Sequence, residues 1–375
     1  MLRSGRKVVG FAETHGLRVA GAVGFIAAVI SVLAWAGVVP TSLGGDSTEP
    51  DLGRHIGEYL ADLETTNNKV LSAAYEEAKT LQDEGYEAQN EEKHLEAIDR
   101  FTRALALAET DEQRAAMHIL RGNSYQFVSD LISAEADYAS ALEVAENVVA
   151  SEDQARIMAA ALGNLGLVYQ NQGDLPKAED HLQQALAIHV KTGDLLGQGS
   201  TLGNLGLVYE DQGELAKAED HHLQALAIHG EIGNRIGEGN ALGNLGNIYK
   251  NQGDLARAED RQQQALATYL EIGNRLGEAN TLGNLGNIYK NQGDLAKAED
   301  HHQRALVIHR EIGHRLGEAQ DLHNLGVAAA ADGNFRVEAC LLLNEALVVF
   351  QEVGAEPDVQ RTLSNIEELG CGEDG

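Results

Sequence analysis

Scarcity narrows the reading of this chain first. Two cysteines, Cys340 and Cys371, in 375 residues are too few to staple a scaffold. Four prolines leave long stretches free to run as uninterrupted helix. Aromatics make up only 5%, with one Trp, so any core must be packed with small and aliphatic residues. Positive charge is short: 28 Lys and Arg face 58 Asp and Glu, a formal net charge of −30. That balance excludes nucleic acid as a partner, because such binding rests on cations neutralising phosphates. It equally excludes a domain lying flat on anionic lipid. The acids read as a coat on a solvated outer face. Catalytic signatures are missing too: no phosphate-binding P-loop, no nucleophile elbow and no HExxH zinc motif. The glycines of LGNLG follow no strand, so they form no dinucleotide loop. Neither enzymatic activity nor a cofactor is expected.

What the chain has in abundance is repetition. Four consecutive blocks begin at Ala161, Thr201, Ala241 and Thr281, and the segments LGNLGNIYKNQGDLARAED at 242 and LGNLGNIYKNQGDLAKAED at 282 differ only at Arg257 versus Lys297. A fixed period of this length means a stacked solenoid, because one block cannot bury its own apolar face. Each block reads as two antiparallel helices. Leu282, Leu285, Gly286 and Tyr289 form one helical stripe. Gly293 allows a left-handed helix end and Asp294 can cap the next helix. That second helix carries Leu295, Ala298, Ala305, Leu306 and Ile308 and stops at Gly313, where His314 takes the cap place of Asn234 and Asn274. The same pairing of glycine and cap recurs at Gly173-Asp174, Gly193-Asp194, Gly253-Asp254 and Gly273-Asn274.

At this point the chain resembles the tetratricopeptide repeat family, whose units set small residues where two helices touch and an aromatic one turn along the first helix. The set is Gly166, Tyr169, Ala178, Ala185; then Gly206, Tyr209, Ala218, Ala225; Gly246, Tyr249, Ala258, Ala265; and Gly286, Tyr289, Ala298, Ala305. Two diverged units lie upstream, at Gly122, Tyr125, Ala134, Tyr138, Ala141 and at Gly85, Ala88, Ala97, Phe101, Ala104. A seventh keeps Gly326, has Ala329 in place of the tyrosine, and needs one inserted residue to align Ala339 and Ala346. The resemblance implies an all-α, right-handed superhelical solenoid of about seven helix pairs over 71–360, closed by a capping helix and tail at 361–375. Units with LGNLG look most like those of kinesin light chains and spindle-orientation adaptors. Such relatives hold extended peptides of other proteins in a concave groove and are not themselves enzymes.

The start of the chain differs. Residues 19–39 form an uncharged run of 21, enough at about 1.5 Å each to span the roughly 30 Å apolar core of a bilayer. We expect one transmembrane helix there, after a basic segment at 1–18 and before a polar linker at 40–50 and a helical N-cap region at 51–70. Arg3, Arg6, Lys7 and Arg18 precede the run, and Asp46, Glu49 and Asp51 follow it. The positive-inside bias then leaves the N-terminus in the cytoplasm and the repeats outside it, in the periplasm of a Gram-negative cell. Cleavage at Ala34-Trp35-Ala36, or a cytoplasmic repeat domain, are the alternatives.

Asn164, Asn204, Asn244, Asn284 and Asn324 recur at one place in the first helix, two residues before the packing glycine. In the family this helix lines the concave surface, and this place supplies an asparagine to carboxylate-clamping relatives. An amide both donates and accepts, so it can hold a peptide backbone without reading side chains. Asn247 and Asn287 lie one turn on, followed by Lys250 and Lys290 on the same side. The other clamp positions hold Gly163, Gly203, Asn240 and Asn280, so the likeness to a clamp stops at the asparagine. The expected partner is a protein or peptide client, with the membrane engaged only through the N-terminal helix. The alternative is a scaffold whose repeats self-associate as a homo-oligomer.

Histidines recur on the second helices: His221-His222, His301-His302, His181, His189, His229 and His309. Adjacent imidazoles diverge by about 100° around a helix and cannot chelate together, and Arg261 interrupts the column, so no metal site is expected. Cys340 reads as a small core residue and Cys371 as part of the tail; in an oxidising compartment the two could pair.

Overall fold

The computed structural model describes residues 91–371, apart from 109, 149–150 and 332–334, together with the helical positions 72, 73, 76 and 80. The expected basic segment, membrane helix, linker and N-cap region, at 1–18, 19–39, 40–50 and 51–70, lie outside the described residues, as do Gly85 and Ala88. Among the described residues no helix is long and apolar enough to cross a membrane.

The described residues form fourteen helices and no strand. Helix α1 (Glu91–Leu107) is the second helix of the first expected unit, with Ala97, Phe101 and Ala104 fully buried. Six antiparallel pairs follow: α2 (Asp111–Phe127) with α3 (Leu131–Ala145), α4 (Glu152–Asn171) with α5 (Leu175–Thr192), and α6 (Leu195–Asp211) with α7 (Leu215–Glu231). Then come α8 (Arg235–Asn251) with α9 (Leu255–Ile272), α10 (Arg275–Gln292) with α11 (Leu295–Ile312), and α12 (Arg315–Ala331) with α13 (Arg336–Glu352). Helix α14 (Glu356–Glu368) ends the array.

Helix boundaries follow from local chemistry. Gly293 and Gly313 sit at φ 83° and 70°, where a side chain would be strained. Asp254 and Asp294 accept the backbone N–H of Arg257 and Lys297 at 3.0 and 3.2 Å. His314 Nδ1 takes the same role, accepting from the Gly317 N–H at 3.2 Å.

Packing explains the small residues. A Cβ at Gly166, Gly206, Gly246 or Gly286 would fall 2.5–2.7 Å from Leu182, His222, Gln262 or His302, so these glycines let the paired helices close on one another. Tyrosines join neighbouring units. The hydroxyls of Tyr169, Tyr209, Tyr249 and Tyr289 donate to Glu135, Glu179, Glu219 and Glu259 of the preceding second helix at 2.7–2.9 Å. The cations of Lys177, Lys217, Arg257 and Lys297 lie over the same rings. Each helix packs on the next in sequence, and successive first helices, α2, α4, α6, α8, α10 and α12, also touch one another. The first-helix layer is thus the more tightly gathered side of the stack.

Two expectations change at the C-terminal end. The capping helix starts at Glu356 rather than Arg361, because Pro357 falls in its first turn, where the missing N–H costs nothing. Val359 of this helix joins Leu322, Leu325 and Phe350 in one cluster, covering the last apolar face. Cys340 is no core residue: it is partly exposed and forms a disulfide with Cys371, with the Cα atoms 5.5 Å apart.

Candidate functional site

The gathered first helices enclose a groove of about 800 Å³ along α6, α8, α10 and α12. Its floor alternates backbone and amide. Gly203 and Gly243 present no side chain, and a Cβ there would meet nothing within 4 Å. Between them Asn204, Asn244, Asn284 and Asn324 line the groove with Asn247 and Asn287. All six are partly buried. Among the described residues, the side chains of Asn204, Asn244, Asn284, Asn287 and Asn324 make no hydrogen bond within the protein. Asn247 accepts one from Gln262 Nε2 at 3.2 Å.

Asn164 stands apart from the predicted ladder. Its amide donates to Asn123 Oδ1 at 3.1 Å, an oxygen that also accepts from the Tyr138 hydroxyl at 2.8 Å, so it joins neighbouring units. Asn240 and Asn280 are likewise held, accepting from the Tyr269 hydroxyl at 2.6 Å and meeting His309 Nε2 at 3.2 Å.

Lys250 and Lys290 line a second recess of about 570 Å³ that continues the groove toward α14, with Asn287, Asn324, His323, Arg361 and Asn365. Burial lowers the Lys250 ammonium pKa and Lys290 lowers it further, while Glu210 pulls it back up. The Glu210 carboxyl is itself pushed up, chiefly by burial.

Two features escaped the sequence reading. Ile236 and Leu276, 54% and 38% exposed, form an aliphatic rim on the groove. Leu196 and Leu316 repeat that place, and an apolar residue recurring off the core stripe was the available signal. The other is Asp321, buried where earlier units have Ala161, Thr201, Ala241 and Thr281. Its carboxylate lies 2.8 Å from His309 Nδ1 and 3.4 Å from His302 Nδ1. A break in the repeat marked it.

Five of the recurring histidines take two packing roles. His222 and His302 are buried beneath Gly206 and Gly286, and burial brings the His222 imidazole down to about 4. His181, His221 and His301 lie beside the rings of Tyr169, Tyr209 and Tyr289, with centroids 4.8–5.0 Å apart. Among the described residues no three His, Cys, Asp or Glu side chains converge as a metal would require.

The family of the tetratricopeptide repeat matches residues 113–191, 157–231, 197–271 and 277–352, together more than half of the chain. No curated protein matches at a significant level. Solved structures share the fold. Aspartyl phosphate phosphatase F from Bacillus subtilis is 15% identical, with a TM-score of 0.59 over 92% of this chain and 88% of that one. A Rap protein complexed with Competence and Sporulation Factor is 16% identical, with a TM-score of 0.54 over 80% of this chain and 98% of that one. A signal-transduction ATPase with a tetratricopeptide repeat sensor, from Pyrococcus horikoshii, is 16% identical at a TM-score of 0.56, over 82% of this chain but 47% of its own length. At such identities the likeness concerns the fold alone. The repeated small, aromatic, small, small set, the packing it produces and the family match agree: the chain belongs to the tetratricopeptide repeat family.

Proposed function

We propose that this protein is a membrane-anchored adaptor or assembly factor that holds an extended segment of a partner protein in its groove, with no catalytic role of its own. The observation that carries the reading is the row Asn204, Asn244, Asn284 and Asn324: amides aimed at one groove, partly shielded from water, with no hydrogen bond inside the described chain. Amides so placed can pair with peptide units spaced along an extended client, and the aliphatic rim of Ile236 and Leu276 offers apolar contact beside them. The forty-residue LGNLG units, similar to those of kinesin light chains and spindle-orientation adaptors, support this reading.

The anchor is residues 19–39, with the N-terminus in the cytoplasm and the array outside it. The uncharged run with its basic flank supports this, and so does the Cys340–Cys371 disulfide, a bond characteristic of oxidising compartments. Protease added to cells with a permeabilised outer layer should digest the repeats and spare the N-terminus; repeats that stay fully protected would reverse the topology.

The groove is tested by replacing Asn204, Asn244 and Asn284 together with Ala. Several hydrogen bonds of about 0.5–1.5 kcal/mol each would go. Client binding, followed by crosslinking pull-down from membranes, should weaken at least about tenfold. Stability should hold, since Ala is the better helix former. A variant that melts much earlier would mark the row as structural, and one that still captures its client would move the site elsewhere. The scaffold alternative draws on α13, where Val337 and Leu341 are 76% and 68% exposed; mass that rises with concentration in the absence of client would favour it.

A further inference from the structure

Cations are scarce in this chain, and most of those on the array are matched. Lys177 pairs with Asp174, Lys297 with Asp294, and Arg235, Arg275 and Arg315 each bridge two glutamates. Lys250 and Lys290 are exceptions. They occupy the same place on α8 and α10, one turn beyond Asn247 and Asn287, and neither side chain makes an ion pair or hydrogen bond among the described residues. Both are only partly exposed. Helix α14 then brings a third cation, Arg361, and the amide of Asn365 to the same recess.

The charges there feel one another. Burial, Arg361 and Lys290 all disfavour the protonated imidazole of His323 and, against the pull of Asp358, hold it at about 4, so His323 adds no positive charge at neutral pH. Two acids oppose the set. Asp358 is held by Arg361 at 2.6 Å, one turn away on α14. Glu210 faces Lys250, but its Oε2 is buried with no hydrogen-bond partner among the described residues, and burial resists its ionisation. The recess therefore keeps a surplus of positive charge, flanked by the amides of Asn287, Asn291, Asn324 and Asn365. Like charges gathered in a partly desolvated site repel, and an anion that accepts from ammonium and amide donors together relieves the repulsion.

We propose that the end of the groove closed by α14 is a carboxylate-binding subsite, in which Lys250, Lys290 and Arg361 take an acidic side chain or a free C-terminal carboxylate of the client. This rests on the groove reading and adds a direction to it: an acidic part of the client lies toward α14, and its remainder runs along the asparagines of α6 to α10. It also gives the capping helix a second role, since Arg361 and Asn365 reach the site only when α14 is docked.

Labelled Gly-Ser peptides in three forms test this on the full chain in mild detergent, by fluorescence anisotropy at low salt. One carries consecutive glutamates and an amidated end, one has no glutamate and a free carboxylate, and one has neither. At least one of the first two should bind about tenfold tighter than the third, and the preference should shrink with added salt. The tighter of the two names the source of the carboxylate. The double variant Lys250→Gln/Lys290→Gln, and Arg361→Gln alone, should each reduce the preference several-fold. Glu210→Gln should increase it. Lys297→Gln, the same charge change outside the recess, should leave it alone.

Equal binding of all three peptides, or no binding of either acidic one, would overturn the proposal. So would an equal loss in Lys297→Gln, which would mean net charge is all that matters. Should the double variant lose helicity, Arg361→Gln, at an exposed side chain, still decides the outcome. A client that ignores the triple asparagine change would refute the groove while leaving this peptide discrimination intact, so the two readings fail separately.

Discussion

Two glycines of the same LGNLG segment should respond oppositely to the same methyl group. Gly203 and Gly206 both lie inside α6, so Gly→Ala at either gains about 0.5–1 kcal/mol of helix propensity. Their surroundings differ. At Gly203 the added Cβ meets nothing within 4 Å; at Gly206 it would sit 2.6 Å from Cε1 and Nε2 of the His222 ring. Non-bonded carbons settle near 3.5–4.0 Å, so the ring or the helix must give by about 1 Å. His222 is fully buried between α6 and α7 and has little room to move. Overpacking of this kind costs about 1–3 kcal/mol. Gly203→Ala should therefore raise stability by about 0.5–1 kcal/mol, and Gly206→Ala should fall about 1–3 kcal/mol below it. Because both substitutions report on one helix of one unit, the local cooperativity of a repeat array cancels in the comparison. Urea unfolding followed by far-ultraviolet circular dichroism reads the midpoints at unchanged slope. Equal shifts for the two variants, or a more stable Gly206→Ala, would refute the account of these glycines as packing devices.

Acid should weaken the array through His222. Its imidazole is held at about 4 against an ordinary 6.5. Above 6.5 neither state is protonated and nothing is lost; between 6.5 and 4 the unfolded chain takes up a proton that the folded one refuses, so stability falls by up to roughly 3 kcal/mol and then levels off. His222→Leu, the residue already used at Leu182 and Leu343, should flatten that slope, leaving the share of His323, also held near 4. A urea midpoint with the same pH dependence in variant and parent would show that His222 does not titrate this way. Removing residues 356–375 should uncover Leu322, Leu325 and Phe350 and promote association, measured by light scattering; an unchanged monomer would show that α14 is no cap.

The repeat architecture was legible because its signals are local and recur. Glycine at a left-handed turn ends each helix from Gly173 to Gly313, and the small, aromatic, small, small set dictates which faces meet, with the close glycine contacts present from Gly166 to Gly286. The groove was legible as a place but not as a chemistry. Five asparagines looked alike in the sequence, yet Asn164 is spent on Asn123 while Asn204, Asn244, Asn284 and Asn324 stay open. The difference lies in the neighbouring unit: Asn123 follows the packing glycine of the unit before Asn164, whereas that place holds Leu167 before Asn204 and Leu207 before Asn244. The start of α14 was hidden because proline reads as a break, although a helix tolerates it in the first turn.

The sequence alone determined what depends on spacing along the chain: the all-α class, the forty-residue unit, its two helices and their caps, and the face each helix buries. Period and capping are properties of neighbours within about four residues, or of exact repetition, and both can be counted. Tertiary structure decided which of several identical-looking residues are free. It buried His222 and left His221 beside a tyrosine ring, joined Cys340 to Cys371 across a helix, and set Arg361 beside Lys250 and Lys290 from different elements. Such pairings depend on the angle at which one unit stacks on the next. That angle is fixed by packing summed over whole interfaces, which no short stretch of sequence displays.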